Sequence, residues 1–289
     1  MPSVFSFGEV LWDCLPHGLF LGGAPLNVAA HLARLGVSSA VISSVGRDVL
    51  GDEALSRAAA YGVDTGFVAR SEKLPTGSVG VTLDKEGNAS YEIRRPVAWD
   101  EIPVSDELLK ALENAQALVY GSLAQRSPVN MASLLQLMDV DWPMRVFDVN
   151  LRAPFYTVER VLVLASFADL LKCNEAEARE LCGADGNEQP DRLARRLADG
   201  TGAGRVCITL GDRGAVYLGP FGMQRAVAPK VKAVDTVGAG DAFLAAMIAG
   251  IVKGEEDHQD FLMSCCRLGA YVASCEGAVP ADLQGTRAG

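Results

Sequence analysis

The chain has 289 residues, 49% apolar and 21% charged, an ordinary globular balance with no sign of wholesale disorder. A formal net charge of -10 argues against a nucleic-acid partner, which needs clustered Lys and Arg. The chain has no apolar run of membrane-spanning length, and its start lacks the basic and apolar segments of a signal peptide, so a cytoplasmic protein without a membrane partner is expected.

Val4–Phe7 is the first predicted strand, and Pro25–Leu35 the first helix, with Pro25 suited to its opening turn. A strand over Ala40–Val45 and a helix over Asp52–Tyr61 follow, with Gly36 and Gly62 as helix stops. Thr76–Leu83 and Ala89–Arg94 then alternate apolar and polar residues around a Gly- and Asn-containing turn at 84–88, which predicts a hairpin projecting as a flap. Beyond it lie a helix over Asp106–Asn114 with Ser105 as N-cap, a strand over Ala117–Tyr120, a helix over Val129–Met138, and strands over Arg145–Val149 and Ala168–Cys173. Helices over Glu175–Cys182 (stopped by Gly183) and Arg192–Leu197, a strand over Val206–Leu210, and two long helices over Gly240–Val252 and Gln259–Ser274 complete the chain. This alternation predicts an α/β fold with a mostly parallel sheet sandwiched by helices. With no repeat or linker in view, a single domain over 1–289 is expected, its β lid contributed by about 9–22 and 76–97.

The seven cysteines (14, 173, 182, 207, 265, 266, 275) have no CxxC spacing and read as small hydrophobes in a reducing compartment. His17, His31 and His258 are too few and too dispersed for a zinc site or a triad; His31 reads as structural. Asn88-Ala89-Ser90 fits a glycosylation sequon, which without a secretion signal reads as accidental.

The most informative segment is Asp235-Thr-Val-Gly238-Ala239-Gly240-Asp241, small residues running straight into an apolar helix. Such a helix start presents unpaired N–H groups to an anion, and small residues let the ligand approach. Asp241 would then crowd a bound phosphate unless its task is to receive a proton. A glycine turn with Asp241 stabilising a helix N-terminus would produce the same local pattern. A dinucleotide fingerprint fits poorly, because Phe243 stands where the third glycine belongs, and no Gly-Lys P-loop occurs.

Asp235–Asp241 resembles, position for position, the DTxGAGD signature of the ribokinase-like (PfkB) carbohydrate kinases, and Gly22-Gly23-Ala24-Pro25-Leu26-Asn27 resembles their Gly-Gly…Asn hallmark. The resemblance spans essentially the whole chain. It implies the ribokinase-like three-layer sandwich with a small β lid, and an ATP-dependent sugar kinase requiring Mg²⁺. Carried over, Asp241 is the catalytic base, and Gly238, Ala239 and Gly240 form the anion hole. Asn174-Glu175-Ala176-Glu177 is similar to the family's NxxE motif, which puts Asn174 beside the nucleotide and Glu177 on Mg²⁺ through water; two acids favouring a first helical turn is the plainer reading of the same residues. Thr209, Gly211 and Gly214 resemble the nucleotide-side turn, a role compatible with a glycine turn joining two strands. Asp148-Val149-Asn150-Leu151-Arg152 resembles the DxNxR pattern, in which Asn150 and Arg152 reach sugar or phosphate; a surface salt bridge is the plainer use of Arg152.

At the sugar end the resemblance implies Asp13, Gly23 and Asn27, with Gly121 and Ser122 after a predicted strand. Trp12 reads as packing in preference to a sugar platform. Ala24 stands where ribokinases carry a lysine, which weakens the case for ribose. Gly8–Asp13, Leu21–Asn27, Pro96–Asp100 and Tyr120–Ala124 are similar to phrases of bacterial fructokinases and imply fructose; relatives with similar motifs use other ketoses, keto-deoxy acids or nucleosides. The family also implies a monovalent cation such as K⁺ near Asp235, Val237, Ala273 and Gly277, and a homodimer formed through the lid. A non-catalytic sugar-binding relative would be expected to lack the base or the anion-hole glycines, and all are present here.

Overall fold

A computed structural model describes residues 1–15, 18–83 and 89–280. The turn expected at 84–88, Asn88 of the sequon, and His17 lie outside the described residues. Strands β1 (Val4–Phe7), β4 (Ser39–Gly46), β5 (Val68–Ser71), β8 (Ala117–Gly121), β9 (Arg145–Asp148), β10 (Leu170–Asn174), β11 (Arg205–Thr209), β12 (Ala215–Gly219) and β13 (Gly222–Ala226) form one sheet among the described residues. Its order is β13-β12-β11-β10-β9-β8-β1-β4-β5, parallel except for β12 and β13. A second sheet, β3-β2-β6-β7, joins β2 (Leu11–Leu15), β3 (Gly18–Gly22), β6 (Gly77–Leu83) and β7 (Ala89–Ile93).

The parallel strands are apolar on both faces, and their period of two sorts the side chains into two cores. Phe5, Phe7, Leu118, Tyr120, Phe147, Leu171 and Val206 lie on one face, together with residues of α3 (Asp106–Ala111), α4 (Pro128–Met138), α5 (Val158–Ala165), α6 (Glu175–Cys182) and α7 (Pro190–Thr201). Val4, Val119, Val146, Leu170 and Cys207 lie on the other, under α1 (Ala24–Arg34), α8 (Ala239–Val252) and α9 (Phe261–Ala273). Helix α2 (Val49–Ala60) packs through Ala54 and Ala58 into a third cluster at the lid end. The three-layer α/β sandwich with a small β lid is therefore the observed architecture.

Several expected boundaries move for identifiable reasons. Helix α2 begins before Asp52 because Asp48 caps it, its side chain accepting from Gly51 N–H at 2.8 Å. The helix expected over Asp106–Asn114 ends at Ala111 and tightens into a 3₁₀ turn over Leu112–Asn114. Ser105 is its N-cap as expected, accepting from Leu108 N–H. Four elements had no counterpart in the sequence reading: α5, β5 and the antiparallel pair β12–β13. The described cysteines are all free thiols; Cys173, Cys207, Cys265 and Cys266 are buried, and burial pushes the Cys266 thiol up to about 11. Among the described residues no helix is long and apolar enough to cross a membrane.

Candidate active site

The site lies at the carboxyl ends of the parallel strands, where an open α/β sheet gathers ligands. Its centre is the start of α8. Gly238 is the N-cap at φ 78°, and a Cβ there would stand 2.5 Å from Ala278 Cα, so the turn into α8 requires glycine. The first α-helical bond runs from Ala242 N–H to Gly238 O, and Ala239 N–H turns back to Thr236 O at 3.3 Å. The N–H groups of Gly240 and Asp241 therefore have no acceptor among the described residues. Of the expected anion hole, Ala239 spends its donor inside the turn, while Gly238 N–H, like those of Gly240 and Asp241, has no acceptor among the described residues.

Asp241 follows on the first turn of α8 and is buried. Asn27 Nδ2 donates to its Oδ2 at 2.8 Å, although the two residues are 214 positions apart. Burial pushes the Asp241 carboxyl up to about 6, and Asp148 pushes the same way, against Lys172, Asn27 and Arg152. Asn27 is placed by the tight entry to α1. There Gly23 adopts φ 115°, and a Cβ would come within 2.2 Å of Glu9 O.

On the face of the sheet that α8 covers lies a buried ion pair. Lys172 of β10 and Asp148 of β9 are register partners, and Lys172 Nζ donates to Asp148 Oδ1 at 2.9 Å. Burial alone would lower the ammonium's affinity for its proton, but the carboxylates of Asp148, Asp241 and Glu177 outweigh it, so Lys172 stays charged. A Cβ on Gly240 would stand 3.1 Å from Lys172 Nζ, so the fixed cation lies directly against the anion-accepting turn. The sequence reading missed Lys172. Its signal was present: one basic residue interrupting the apolar run Leu170-Leu171-Lys172-Cys173 of a doubly covered strand.

Of the residues expected at a sugar end, Asp13 of β2 has its carboxyl lifted by burial to about 6, opposed by Arg152 and reinforced by Asp235. Arg152 also opposes the upward shifts of Glu9 and Asp241. Its guanidinium is exposed, donates to Leu151 O at 3.0 Å, and has no ion-pair partner within 4 Å among the described residues. Its field thus falls on three carboxylates, those of Glu9, Asp13 and Asp241. Gly121 and Ser122 follow β8, and Ser122 Oγ donates to the carbonyl of Asn150, whose own φ is 37°. Trp12 is fully packed, its indole N–H donating to Leu50 O at 3.0 Å under the Arg57 guanidinium.

Of the residues expected beside a nucleotide, Asn174 and Thr209 are register neighbours at the ends of β10 and β11, and Gly211 follows at φ 64°. Gly214 (φ 97°) follows, where a Cβ would stand 1.9 Å from Ala226 O, so the turn into β12 requires glycine. Asn174 and Glu177 form a reciprocal capping box at the start of α6, and Glu177 Oε1 additionally accepts from Leu151 N–H at 2.9 Å. The plainer reading of these residues is thus realised in the fold. Each Glu177 oxygen keeps a further lone pair, which is compatible with a metal reached through water.

Asp235, Val237, Ala273 and Gly277 also come together. Asp235 Oδ1 accepts from Val237 N–H at 3.0 Å, its Oδ2 from Gly277 N–H at 3.3 Å, and Ala273 O accepts from Val234 and Asp235. His31 is structural. Its Nε2 lies 2.8 Å from Ala278 O, and burial lowers its pKa to about 4, so a neutral ring donates there and ties the 277–280 segment to α1. Arg34 joins it by donating to Pro280 O.

A buried carboxylate beside free amides and a fixed cation, under a small β lid, defines a small-molecule phosphotransferase. The model of the pfkB family carbohydrate kinases matches residues 16–279, and the chain belongs to that family. It is 30% identical to fructokinase-1 of Zea mays, over 96% of this chain and 93% of the relative. An uncharacterized sugar kinase of Pyrococcus horikoshii, in complex with ATP, superposes with a TM-score of 0.77 at 26% identity, covering 96% of this chain and 94% of that one. A double variant of Vibrio cholerae fructokinase, with fructose, ADP and a potassium ion bound, superposes with a TM-score of 0.81 at 25% identity, covering 97% and 95%.

Proposed function

We propose that this sugar kinase transfers the γ-phosphoryl group of ATP to fructose, giving fructose 6-phosphate, with Asp241 as general base. The observation that carries this reading is the placement of Asp241. Its carboxylate is buried, held by Asn27, at the same helix start as the free N–H groups of Gly238, Gly240 and Asp241 itself, with Lys172 beside them. Asp241 takes the proton of the acceptor hydroxyl as that oxygen attacks the γ-phosphorus, and the bond to the β-bridging oxygen breaks to release ADP. The free amides and Lys172 stabilise the negative charge carried by the transferring group. Asp13, Gly23, Asn27, Gly121, Ser122, Asn150 and Arg152 hold the sugar; Asn174, Thr209 and Gly211 flank the nucleotide.

Mg²⁺, reached by Glu177 through water, would neutralise charge on the phosphates. A K⁺ ion is supported at the loop of Asp235, Val237, Ala273 and Gly277, where one carboxylate gathers two chain segments. The whole chain acts as one kinase domain, closed by the lid segments 9–22 and 76–97. Strands β3 and β7 lie at the lid's edges, which supports a homodimer formed edge to edge. Fructose is favoured by the fructokinase-like phrases around Asp13, Asn27 and Ser122 and by the relatives that bear that name.

The test is ADP release from Mg-ATP by the purified protein across fructose, ribose, glucose, tagatose, 2-keto-3-deoxygluconate and adenosine. A clear preference for fructose is expected. Preference for another acceptor overturns the substrate, and silence on all of them overturns the catalytic reading.

A further inference from the structure

Glu9 is a charged residue that the reaction above leaves unused. It follows β1, is 4% exposed, and sits in the tight space between the end of that strand and the start of α1. The backbone of Glu9 itself and of Ala24 favours its ionised form, yet its Oε2 is buried with no hydrogen-bond partner among the described residues. Asp148 repeats the pattern. Its Oδ1 is taken by Lys172, and its Oδ2 is buried and unpartnered.

Both residues line one cavity of about 10 Å³. The remaining polar wall is Gly121, Ser122 and Asn150, and Pro25, Val28, Val119 and Leu123 supply the apolar side. That volume is roughly one oxygen-sized group. Two of its lining residues carry an orphaned, buried carboxylate oxygen, which calls for a hydrogen-bond donor, because leaving a buried acceptor unpaired is costly. Glu9 also lies within the electrostatic reach of Asp241 and Arg152, so the cavity is part of the reacting end of the site.

We propose that Glu9 is a specificity-determining residue whose Oε2 receives one non-reacting hydroxyl of the acceptor sugar in this cavity, with Asp148 as the second acceptor lining it. This deepens the sugar-kinase reading and rests on it. A hydroxyl and a trapped water share the chemistry that the cavity recognises, and the sugar is the occupant assigned here. Burial lifts the Glu9 carboxyl to about 7, as expected for an acid held where its charge has too few donors. An acceptor lacking that hydroxyl leaves Glu9 unpaired, so the pocket rejects it.

The test compares kcat/KM for fructose with that for each monodeoxy fructose that keeps the phosphorylated hydroxyl, in the wild type, Glu9→Leu and Glu9→Gln. In the wild type one deoxy analogue should lose about 10- to 100-fold, the range for a hydrogen bond to a charged group. In Glu9→Leu, fructose should fall by a similar factor, and its advantage over that analogue should shrink to within about 3-fold, as for a lost contact. Glu9→Gln keeps a neutral acceptor and should show an intermediate advantage, a readout that holds if Glu9→Leu fails to fold. An undiminished advantage in the folded variants would overturn the assignment, leaving Glu9 as an anchor for α1 with water as the cavity's occupant. No penalty for any analogue in the wild type would overturn it too. Wild-type turnover of fructose separates this result from the substrate reading: if another acceptor of the panel is the one phosphorylated, fructose falls, and the same series on deoxy analogues of that acceptor decides Glu9.

Discussion

Asp241→Asn should weaken the enzyme and strengthen the protein. The carboxyl at this position has an ordinary value of 3.8 and is held near 6 by burial and by Asp148. A group whose folded pKa is raised contributes its stability fully below the unfolded value and loses it as pH rises through the folded value. The difference of roughly two units corresponds to about 3 kcal/mol by which ionised Asp241 destabilises the fold above pH ~7, at 1.36 kcal/mol per unit. The amide variant does not titrate and still accepts from Asn27, so that cost disappears. Chemical denaturation from pH 4 to 8 should therefore show the two proteins nearly equal at the acid end. The variant should gain up to about 3 kcal/mol at the neutral end. The same variant should lose at least ~10²-fold in kcat with ATP affinity roughly intact, as expected for removing a general base. Equal or lower stability of the variant at pH 8 would refute the burial argument, and near-normal kcat would remove Asp241 from the chemistry.

Asn27→Leu removes the donor that favours ionised Asp241; a charged hydrogen bond of about 1.5–3 kcal/mol should move the acid limb of the kcat/KM profile upward from near pH 6 by about 1–2 units. An unmoved limb in a folded variant would show that Asn27 does not tune the base. Lys172→Met leaves Asp148 buried and unpaired, and denaturant titration should show a loss of about 3–5 kcal/mol. Adding Asp148→Leu should recover much of that stability without recovering activity; recovery of both would reduce the pair to a packing role. Gly238→Ala forces a side chain into Ala278 at a positive φ, and should lower the melting temperature by several degrees and abolish turnover. A folded, active variant would show that the turn into α8 is less constrained than its geometry implies.

Much of the fold was legible in short-range pattern. β1 matched its expected limits because four buried residues in a row between polar neighbours have few other uses. α6 matched because its cap, Asn174, and its stop, Gly183, are both local signals. α5 escaped for the opposite reason. Val158-Glu-Arg-Val-Leu-Val-Leu-Ala is rich in β-branched residues, and it is helical because Thr157 caps it and Val161, Leu164 and Ala165 face the core. β12 pairs antiparallel with β11, and β13 antiparallel with β12, choices of partner that propensity does not carry.

The sequence by itself determined the chemistry-bearing turn, because a helix start made of glycines and followed by an acid depends only on neighbours in the chain. It also marked Asn27, Asp13 and Asn174 through local phrases. Tertiary structure alone decided what those residues meet. Asn27 reaches Asp241 from the other end of the chain, Lys172 meets Asp148 through strand register, and Ala239 turns its N–H inward. Glu9 and Asp148, each with an unpartnered oxygen, line one cavity. Electrostatics and burial are sums over neighbours in space, and the order of strands in the sheet, which a linear pattern does not encode, sets who those neighbours are.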